Sequence, residues 1–228
     1  MAKKMVKKRR LKIFNLLLII LILGVIFFAI DLYLNTRITN ITIKGTTYLN
    51  DDYILNLAGI KNYPSYYLTF SKNMKNKIEN SPYIKSVSIK KRFYHTITIN
   101  VEEYKILFIN ASDNKLILSN GEMIDNTSND TYRVPRLMNY VPDTKYSSLI
   151  KYTKKIDEDI LGKVSEITYV PNEYDKDRFL LYMDDGNMVY LTLTKFKMIN
   201  YYNDVIAQLG GNKGILYLDS GNHFQIKE

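Results

Sequence analysis

Few residues of this chain could carry acid–base or metal chemistry. The sequence contains two histidines and no cysteine. His95 and His223 are far apart and each stands beside turn-forming residues, which favours satisfied or solvated side chains over a metal ligand or a general base. The lack of cysteine excludes disulfides, zinc–thiolate sites and thiol catalysis.

The carboxylate clusters have structural explanations. Glu102 and Glu103 are neighbours on a predicted strand and therefore point to opposite faces of it. Residues 157–159 lie at a charged helix end and lack the D-x-D-x-D-G pattern of a calcium loop. Residues 184–185 precede Gly186-Asn187, which is typical of a hairpin turn.

The known nucleophile and phosphate motifs are missing. Ser220 follows Asp219, but no base accompanies the pair, so a turn is favoured here as well. The sequence has no G-x-S-x-G elbow, no P-loop and no H-E-x-x-H helix. We therefore predict no catalytic residue, no cofactor site and no metal site, and a protein that is not an enzyme.

The dominant element is the apolar run at residues 13–34, which contains no Lys, Arg or Glu. As a helix it would be roughly 33 Å long, about the thickness of the hydrocarbon core of a bilayer. A cleaved signal peptide is the alternative, but its apolar core is shorter and small residues mark its cleavage site. The exit at residues 27–31 has no A-x-A pattern, so we predict an uncleaved transmembrane helix.

The charges predict the orientation of this helix. Residues 1–12 hold five lysines, two arginines and no acid, which accounts for most of the net charge of +9. Lys and Arg beside a span stay on the cytoplasmic side, so residues 1–12 are predicted inside and residues 35–228 outside. The basic surplus is thus an orientation signal rather than a nucleic-acid surface. Attraction of the tail to anionic lipid is the alternative role.

In the first region after the span, the sequence pattern predicts the order strand, helix, helix, strand, strand. Alternation marks a strand at 41–43. A helix is predicted at 52–58, with Asn50 or Asp51 as its N-cap and Gly59 as its stop. Ser71 is predicted to cap a second helix that runs to about residue 80. Strands follow at 84–91 and 96–102. Two helices on one face of a small sheet form a compact α+β module.

The second region predicts short strands with flanking helices. A proline marks residues 134–137 as a sheet edge or a loop. Helices are predicted at 147–160 and 195–209. The remaining strands are expected at 106–109, 116–118, 164–170, 179–183, 188–193 and, as the last strand, 214–218, before a short tail at 222–228.

This order of elements resembles the DivIB/FtsQ family of bacterial cell-division proteins. In the first region the similar motifs are Ile41-x-Ile43-x-Gly45, Ala58-Gly59, Pro82-x-Ile84-x-x-Val87-x-Ile89 and Thr96-Ile97-x-Ile99-x-Val101-x-Glu103. In the second region they are Asn120-Gly121, Val134-Pro135-Arg136-Leu137, Asp185-Gly186 and Gly214-Ile215-x-x-Leu218-Asp219-Ser220-Gly221. The chain departs from the family at Tyr94, which stands where proline is usual, so the turn there is expected to differ.

The resemblance implies an α+β protein with a single transmembrane helix (13–34), a POTRA domain (38–104), a β domain (105–221) and a tail (222–228). It implies a non-enzymatic scaffold at the division septum that binds FtsL-type and DivIC/FtsB-type single-span proteins and influences septal peptidoglycan synthesis. The partner-binding residues would be those of the last strand and the turn after it, because an edge strand offers unpaired backbone groups: Gly214, Ile215, Leu216, Tyr217, Leu218, Asp219, Ser220 and Gly221.

Two other functions stay open from the sequence. One is a POTRA-containing assembly or secretion factor, although such proteins carry repeated POTRA units and a β-barrel. The other is a membrane-anchored hydrolase of the cell wall. The strand at 214–218 could also do no more than complete the edge of its sheet.

Overall fold

The computed structural model of the chain describes residues 13–126 and 132–227. The basic tail at 1–12 lies outside the described residues. The chain divides into two compact units, Met1–Glu102 and Glu103–Glu228, which are described separately.

The predicted apolar helix is present as α1 (Ile13–Asn35). All of its side chains are exposed in the structure. A helix that is apolar on every side needs an apolar surrounding, and α1 is long and apolar enough to cross a membrane. Its last turn leads directly into the first unit.

The first unit has the predicted order of elements, with two helices packed on a three-stranded sheet. The strand order is β1-β3-β2, and β1 runs parallel to β3. Ile54, Ile78 and Ile99 are completely buried between the two layers. The elements are β1 (Asn40–Lys44), α2 (Asp51–Ala58), α3 (Ser71–Glu79), β2 (Ile84–Arg92) and β3 (Thr96–Glu103).

The two helices of this unit begin differently. The Asn50 side chain accepts a hydrogen bond from the Tyr53 amide at 2.8 Å, and Gly59 ends α2 with a positive φ of 71°. The prediction that Ser71 caps α3 was wrong. Phe70 occupies the N-cap position without a side-chain hydrogen bond, and Ser71 is already helical.

The turn between β2 and β3 has a conformation into which proline would not fit at position 94. Tyr94 and His95 both have positive φ, 59° and 56°. Positive φ at two successive central positions is the requirement of a type I′ hairpin turn, which Asn-Gly satisfies best. Proline holds φ near −65° and cannot adopt this conformation. The turn is therefore built on two strained aromatic residues.

The second unit is a nine-stranded sheet with the order β12-β11-β10-β9-β8-β7-β4-β5-β6. Its core joins sheet and helices, with Phe108, Phe179 and Phe196 fully buried. Its helical segments are α4 (Asp143–Thr153), α5 (Glu158–Leu161), a 3₁₀ helix (Leu193–Tyr201) and α6 (Tyr202–Ala207). Its strands are β4 (Ile106–Asn110), β5 (Lys115–Leu118), β6 (Met123–Asp125), β7 (Arg136–Leu137), β8 (Val164–Tyr169), β9 (Arg178–Met183), β10 (Met188–Thr192), β11 (Gly214–Tyr217) and β12 (His223–Ile226).

Both helices predicted for this unit required correction. The helix predicted at 147–160 is two helices, and the break lets Ile156 enter the core from the turn between them. The helix predicted at 195–209 begins as a 3₁₀ helix and becomes α-helical only at Tyr202. The tighter winding lets Leu193, Phe196 and Ile199, spaced by three residues, all face the core.

The predicted edge or loop at 134–137 was wrong for its last two residues, while Val134 and Pro135 lie outside any strand. Its last two residues form β7, which lies inside the sheet between β8 and β4. Pro135 precedes the strand, so its missing N–H does not interrupt the ladder, and its carbonyl accepts a hydrogen bond from the Ile109 amide at 2.9 Å.

The close approach of the backbone to Gly45 gives a test of packing in the first unit. A Cβ at Gly45 would lie 2.2 Å from the Val101 carbonyl oxygen, and φ there is +87°. We expect Gly45→Ala to lower the free energy of unfolding by about 3 kcal/mol or more, because strain and a backbone clash add. Gly59→Ala is the control, since it adds αL strain of about 1 kcal/mol without a backbone clash. Denaturant unfolding of the full-length protein in detergent would measure both, and equal losses would contradict the clash.

The hairpin turn gives a prediction of the opposite sign. Tyr94→Asn should raise the free energy of unfolding of the first unit by about 0.5–1 kcal/mol, because Asn tolerates the αL conformation. Tyr94→Pro should lower it, since proline cannot reach positive φ. Denaturant unfolding of the two variants would test both expectations. If Tyr94→Pro raised the free energy of unfolding, the turn would not be strained as described.

Candidate partner-binding site

The predicted site residues 214–221 lie on β11 and on the turn that follows it. Leu216 and Leu218 are buried in the core, at 4% and 6% exposure. Ile215 and Tyr217 are half-buried on the other face of the strand, while Ser220 and Gly221 are exposed in the turn. The set thus combines core residues with a surface turn.

The prediction that residues 214–218 form the last strand at the sheet edge was wrong. β11 pairs with β10 on one side, where Tyr190 lies opposite Tyr217, and with β12 on the other, where Tyr217 lies opposite His223. The predicted tail contains β12, which is the outermost strand of the described sheet. The signal for it was Gly221-Asn222, a turn sequence, followed by a short strand pattern in which Phe224 and Ile226 are apolar.

Gly214 allows β12 to approach. A Cβ at this position would lie 2.0 Å from the Gln225 carbonyl oxygen and 2.9 Å from the Phe224 ring. The Gly214 amide donates a hydrogen bond to Asn187 Oδ1 at 2.8 Å. Any other residue at 214 would push β12 off the sheet.

A buried polar cluster holds the start of β11. Asn187, 1% exposed, donates from Nδ2 to the Tyr202 hydroxyl and to Asp185 Oδ2, both at 3.0 Å. The Tyr202 hydroxyl donates to Asp185 at 2.8 Å. Burial works against ionisation of Asp185, but these hydrogen bonds outweigh it and the pKa of Asp185 lies below its ordinary value. The Asp185 carboxylate therefore stabilises the hairpin turn that was predicted at Gly186-Asn187.

A second polar cluster holds the end of β11. Arg178 Nε donates to Asp219 Oδ2 at 2.7 Å, and the Asp219 side chain is only 8% exposed. Lys195 Nζ donates to the carbonyl oxygens of Leu218 and Asp219 at 3.0 and 3.2 Å. Burial opposes ionisation of Asp219, but the hydrogen bond and charge of Arg178 prevail and lower its pKa. Ser220 donates to the same carboxylate from its hydroxyl at 3.2 Å.

The face of the sheet opposite the core carries a row of stacked side chains. The Arg178 guanidinium lies 3.7 Å from the centre of the Tyr190 ring. The Tyr190 and Tyr217 rings stack at 5.4 Å, and the Tyr217 and His223 rings stack at 4.7 Å with 10° between their planes. This stacked row crosses β10 and β11 and ends on β12.

The outer side of β12 offers backbone groups. The Lys227 amide donates to the Lys213 carbonyl at 2.9 Å. Because antiparallel pairs alternate, the backbone groups of Phe224 and Ile226 then face away from β11. We call this side of β12 the terminal edge. Its exposed side chains are those of His223, Gln225 and Ile226.

The other residues considered for chemistry have structural partners within their own units. His95 packs its ring against Tyr66 at 5.1 Å in the first unit, and His223 ends the stacked row in the second. Glu102 binds Lys85 and Ser86 on the surface. Within residues 13–126 and 132–227 no group of three or more metal-binding side chains is found.

Comparison with known proteins gives consistent matches along the chain. The family model for the FtsQ-type POTRA domain matches residues 36–104, and that for the C-terminal region of cell division protein FtsQ/DivIB matches residues 107–220. Cell division protein DivIB of Bacillus subtilis is 26% identical over 98% of this chain and 86% of its own length. The DivIB of Bacillus anthracis is 28% identical over 94% of this chain and 81% of its own.

A solved structure also shows similarity. It is the major extracytoplasmic domain of the trans isomer of DivIB from Geobacillus stearothermophilus, with 22% sequence identity and a TM-score of 0.40. The match covers 48% of this chain and 96% of that one.

The close approach at Gly214 leads to a prediction. Gly214→Ala should displace β12 while the rest of the second unit stays folded, because the clash involves the β12 backbone. Hydrogen exchange of the Gln225 and Lys227 amides should then rise to the rate of an unpaired strand. Gly162→Ala is the control, since its new Cβ would meet no atom closer than 3.3 Å. Unchanged protection in Gly214→Ala would contradict the contact.

The lowered pKa values of Asp185 and Asp219 predict the pH dependence of the second unit. Each carboxylate is more acidic when folded than the unfolded value of about 3.9. Their stabilisation is therefore present above that pH and is lost as the pH falls through the folded pKa values. Urea midpoints measured between pH 6 and pH 2.5 should fall, and fall less in Asp219→Asn. An equal fall in that variant would show that Asp219 does not contribute.

Proposed function

Because this chain belongs to the FtsQ/DivIB family of bacterial cell-division proteins, we propose that it is a non-enzymatic scaffold of the division septum. It is a single-pass membrane protein held by α1. The proposed orientation has the tail in the cytoplasm and both folded units outside, as the charges beside the span favour. There it binds FtsL-type and DivIC/FtsB-type single-span proteins and influences septal peptidoglycan synthesis.

The observation that carries this proposal is the terminal edge. Its outward backbone groups can pair with an extended segment of a partner, which would add a strand to the sheet. Residues 214–221 keep their proposed part in this contact, although they do not form the edge themselves. Gly214 admits β12, and the Asp219–Arg178 pair fixes the turn that returns the chain, so together they present the strand that the partner meets.

The stacked row gives the contact selectivity. His223 ends the row at the edge, so an added strand would place one of its side chains directly beside this ring. Cross-strand aromatic pairs stabilise a sheet by about 0.2–1 kcal/mol each. We expect the DivIC/FtsB-type segment to place an aromatic or long flat side chain there. Backbone hydrogen bonds would supply the affinity, and the position beside the His223 ring would select among partner side chains.

Membrane anchoring makes weak contacts sufficient. Partners that share one membrane are confined to a thin layer, which raises their effective concentration. A single added strand with few side-chain contacts can then hold a complex together. The polar side chains around β11 support this role rather than hydrolysis, because Asp185 and Asp219 are engaged in holding the strand.

Ile226 gives the sharpest test of strand addition. Its amide faces outward, so Ile226→Pro removes one donor from the terminal edge without breaking the pairing with β11. We expect at least about tenfold weaker binding of the DivIC/FtsB-type partner, since the proline ring also blocks the incoming strand. Ile226→Ala is the matched control, because it shortens the side chain and keeps the amide.

The measurement is co-purification of the full-length protein with its partners from membranes in mild detergent. Ile226→Pro should lose the small single-span partner and Ile226→Ala should retain it. Deletion of residues 214–228 should abolish binding while the first unit stays folded. If Ile226→Pro retains the partner, strand addition at this edge is wrong. If the wild-type protein is recovered alone, the scaffold function itself loses its support.

A further inference from the structure

The tip of the β2–β3 hairpin exposes two large aromatic side chains. Phe93 is 91% exposed and Tyr94 is 88% exposed. Tyr94 also has a positive φ, and so does the His95 that follows it. An Asn-Gly pair would form this turn without strain and without exposed rings. Strain that persists at bulky exposed residues indicates a function for those side chains.

This tip is connected to the end of α1 by packed rings. Tyr33, in the last turn of α1, stacks on Tyr67 with 5.0 Å between ring centres, and Tyr67 lies 5.9 Å from the His95 ring. The Tyr66 amide donates to the Thr36 carbonyl at 2.8 Å, and the Ser65 hydroxyl donates to the Tyr33 carbonyl at 3.2 Å. The hairpin turn is therefore held beside the point where the apolar helix ends.

Basic residues lead into the tip. Lys90 and Arg92 are exposed, and Lys91 Nζ lies 4.2 Å from the centre of the Tyr66 ring. The groove beside the tip is lined by aromatic, basic and threonine residues, and none of its lining residues is acidic. Aromatic rings at the level of the headgroups and Lys or Arg beside anionic lipids are the combination that membrane interfaces favour.

We propose that residues 92–95 lie in the headgroup region of the bilayer that α1 crosses and bind anionic lipid headgroups there. This inference rests on the membrane anchoring of α1 but not on the partner-binding site. The continuity of the rings with the end of α1 favours lipid over a protein partner. The membrane would then hold the first unit at two points, the end of α1 and the hairpin tip.

The absence of tryptophan from the chain allows a clean test. Phe93→Trp places a single reporter at the tip of the full-length protein, which is reconstituted alone into vesicles containing phosphatidylglycerol. We expect blue-shifted emission, strong quenching by lipids brominated near the headgroup end of the acyl chain, and severalfold protection from aqueous iodide. The reference for a reporter in water is Tyr174→Trp, at a side chain that is 95% exposed in the second unit, together with free N-acetyltryptophanamide.

A reporter within α1 separates the two possible failures. Phe27→Trp should be quenched by brominated lipid and not by iodide, because α1 crosses the bilayer. If it is not, the membrane anchoring is wrong. If it is, and Phe93→Trp is quenched by iodide as strongly as the free tryptophan derivative, the hairpin proposal is overturned while the anchoring stands. An aqueous Phe93→Trp would leave the exposed rings for a protein partner.

The contribution of the basic residues has its own comparison. In the Phe93→Trp protein, the added changes Lys90→Gln and Arg92→Gln should reduce quenching by brominated lipid more in phosphatidylglycerol vesicles than in phosphatidylcholine vesicles. Lys72→Gln with Lys75→Gln removes the same charge from exposed positions on α3 and should leave the quenching unchanged. Equal effects of the two pairs would overturn the binding of anionic headgroups at the tip.

Discussion

The outer end of the sheet in the second unit depends on the contact of two backbones at Gly214. Only a residue without a Cβ lets β12 come within hydrogen-bonding distance of β11, because the Gln225 carbonyl occupies the position where a side chain would begin. Polar side chains hold β11 on either side of this contact. Asn187 holds the amide of Gly214, and Arg178 holds Asp219 at the other end of the strand. Hydrogen bonds therefore hold both ends of β11, the strand with which β12 pairs.

This arrangement explains why carboxylates near β11 do no chemistry in the proposed function. Asp185 and Asp219 are ionised below their ordinary range because amide, hydroxyl and guanidinium donors surround them. A carboxylate whose lone pairs are already occupied is a poor general base. What the same residues leave accessible is the backbone of one outer strand and a row of rings. In the proposed function this surface pairs with an extended segment of a partner.

Most of the fold could be predicted from the sequence where the signals are local. Asn50 and Gly59 mark the two ends of α2 because capping depends on the nearest few residues. The 3₁₀ helix at 193–201 could not be predicted, since residues spaced by three also suit an α-helix and the sheet beneath decides. β12 was missed because four residues with one covered side chain, Phe224, give too short a pattern. The edge of the sheet was thus assigned one strand too early.

The β11–β12 hairpin and the β2–β3 hairpin are the two places where function is proposed. At the β11–β12 hairpin, the outward backbone groups of β12 are proposed to pair with a partner. At the β2–β3 hairpin, the backbone is strained and the side chains are offered to lipid. Neither surface favours the solubility of the isolated protein, because an open strand edge can pair with other chains and exposed rings promote aggregation. A bilayer at the β2–β3 tip and a partner strand on β12 would remove these liabilities, because each would cover the surface that the fold alone leaves open.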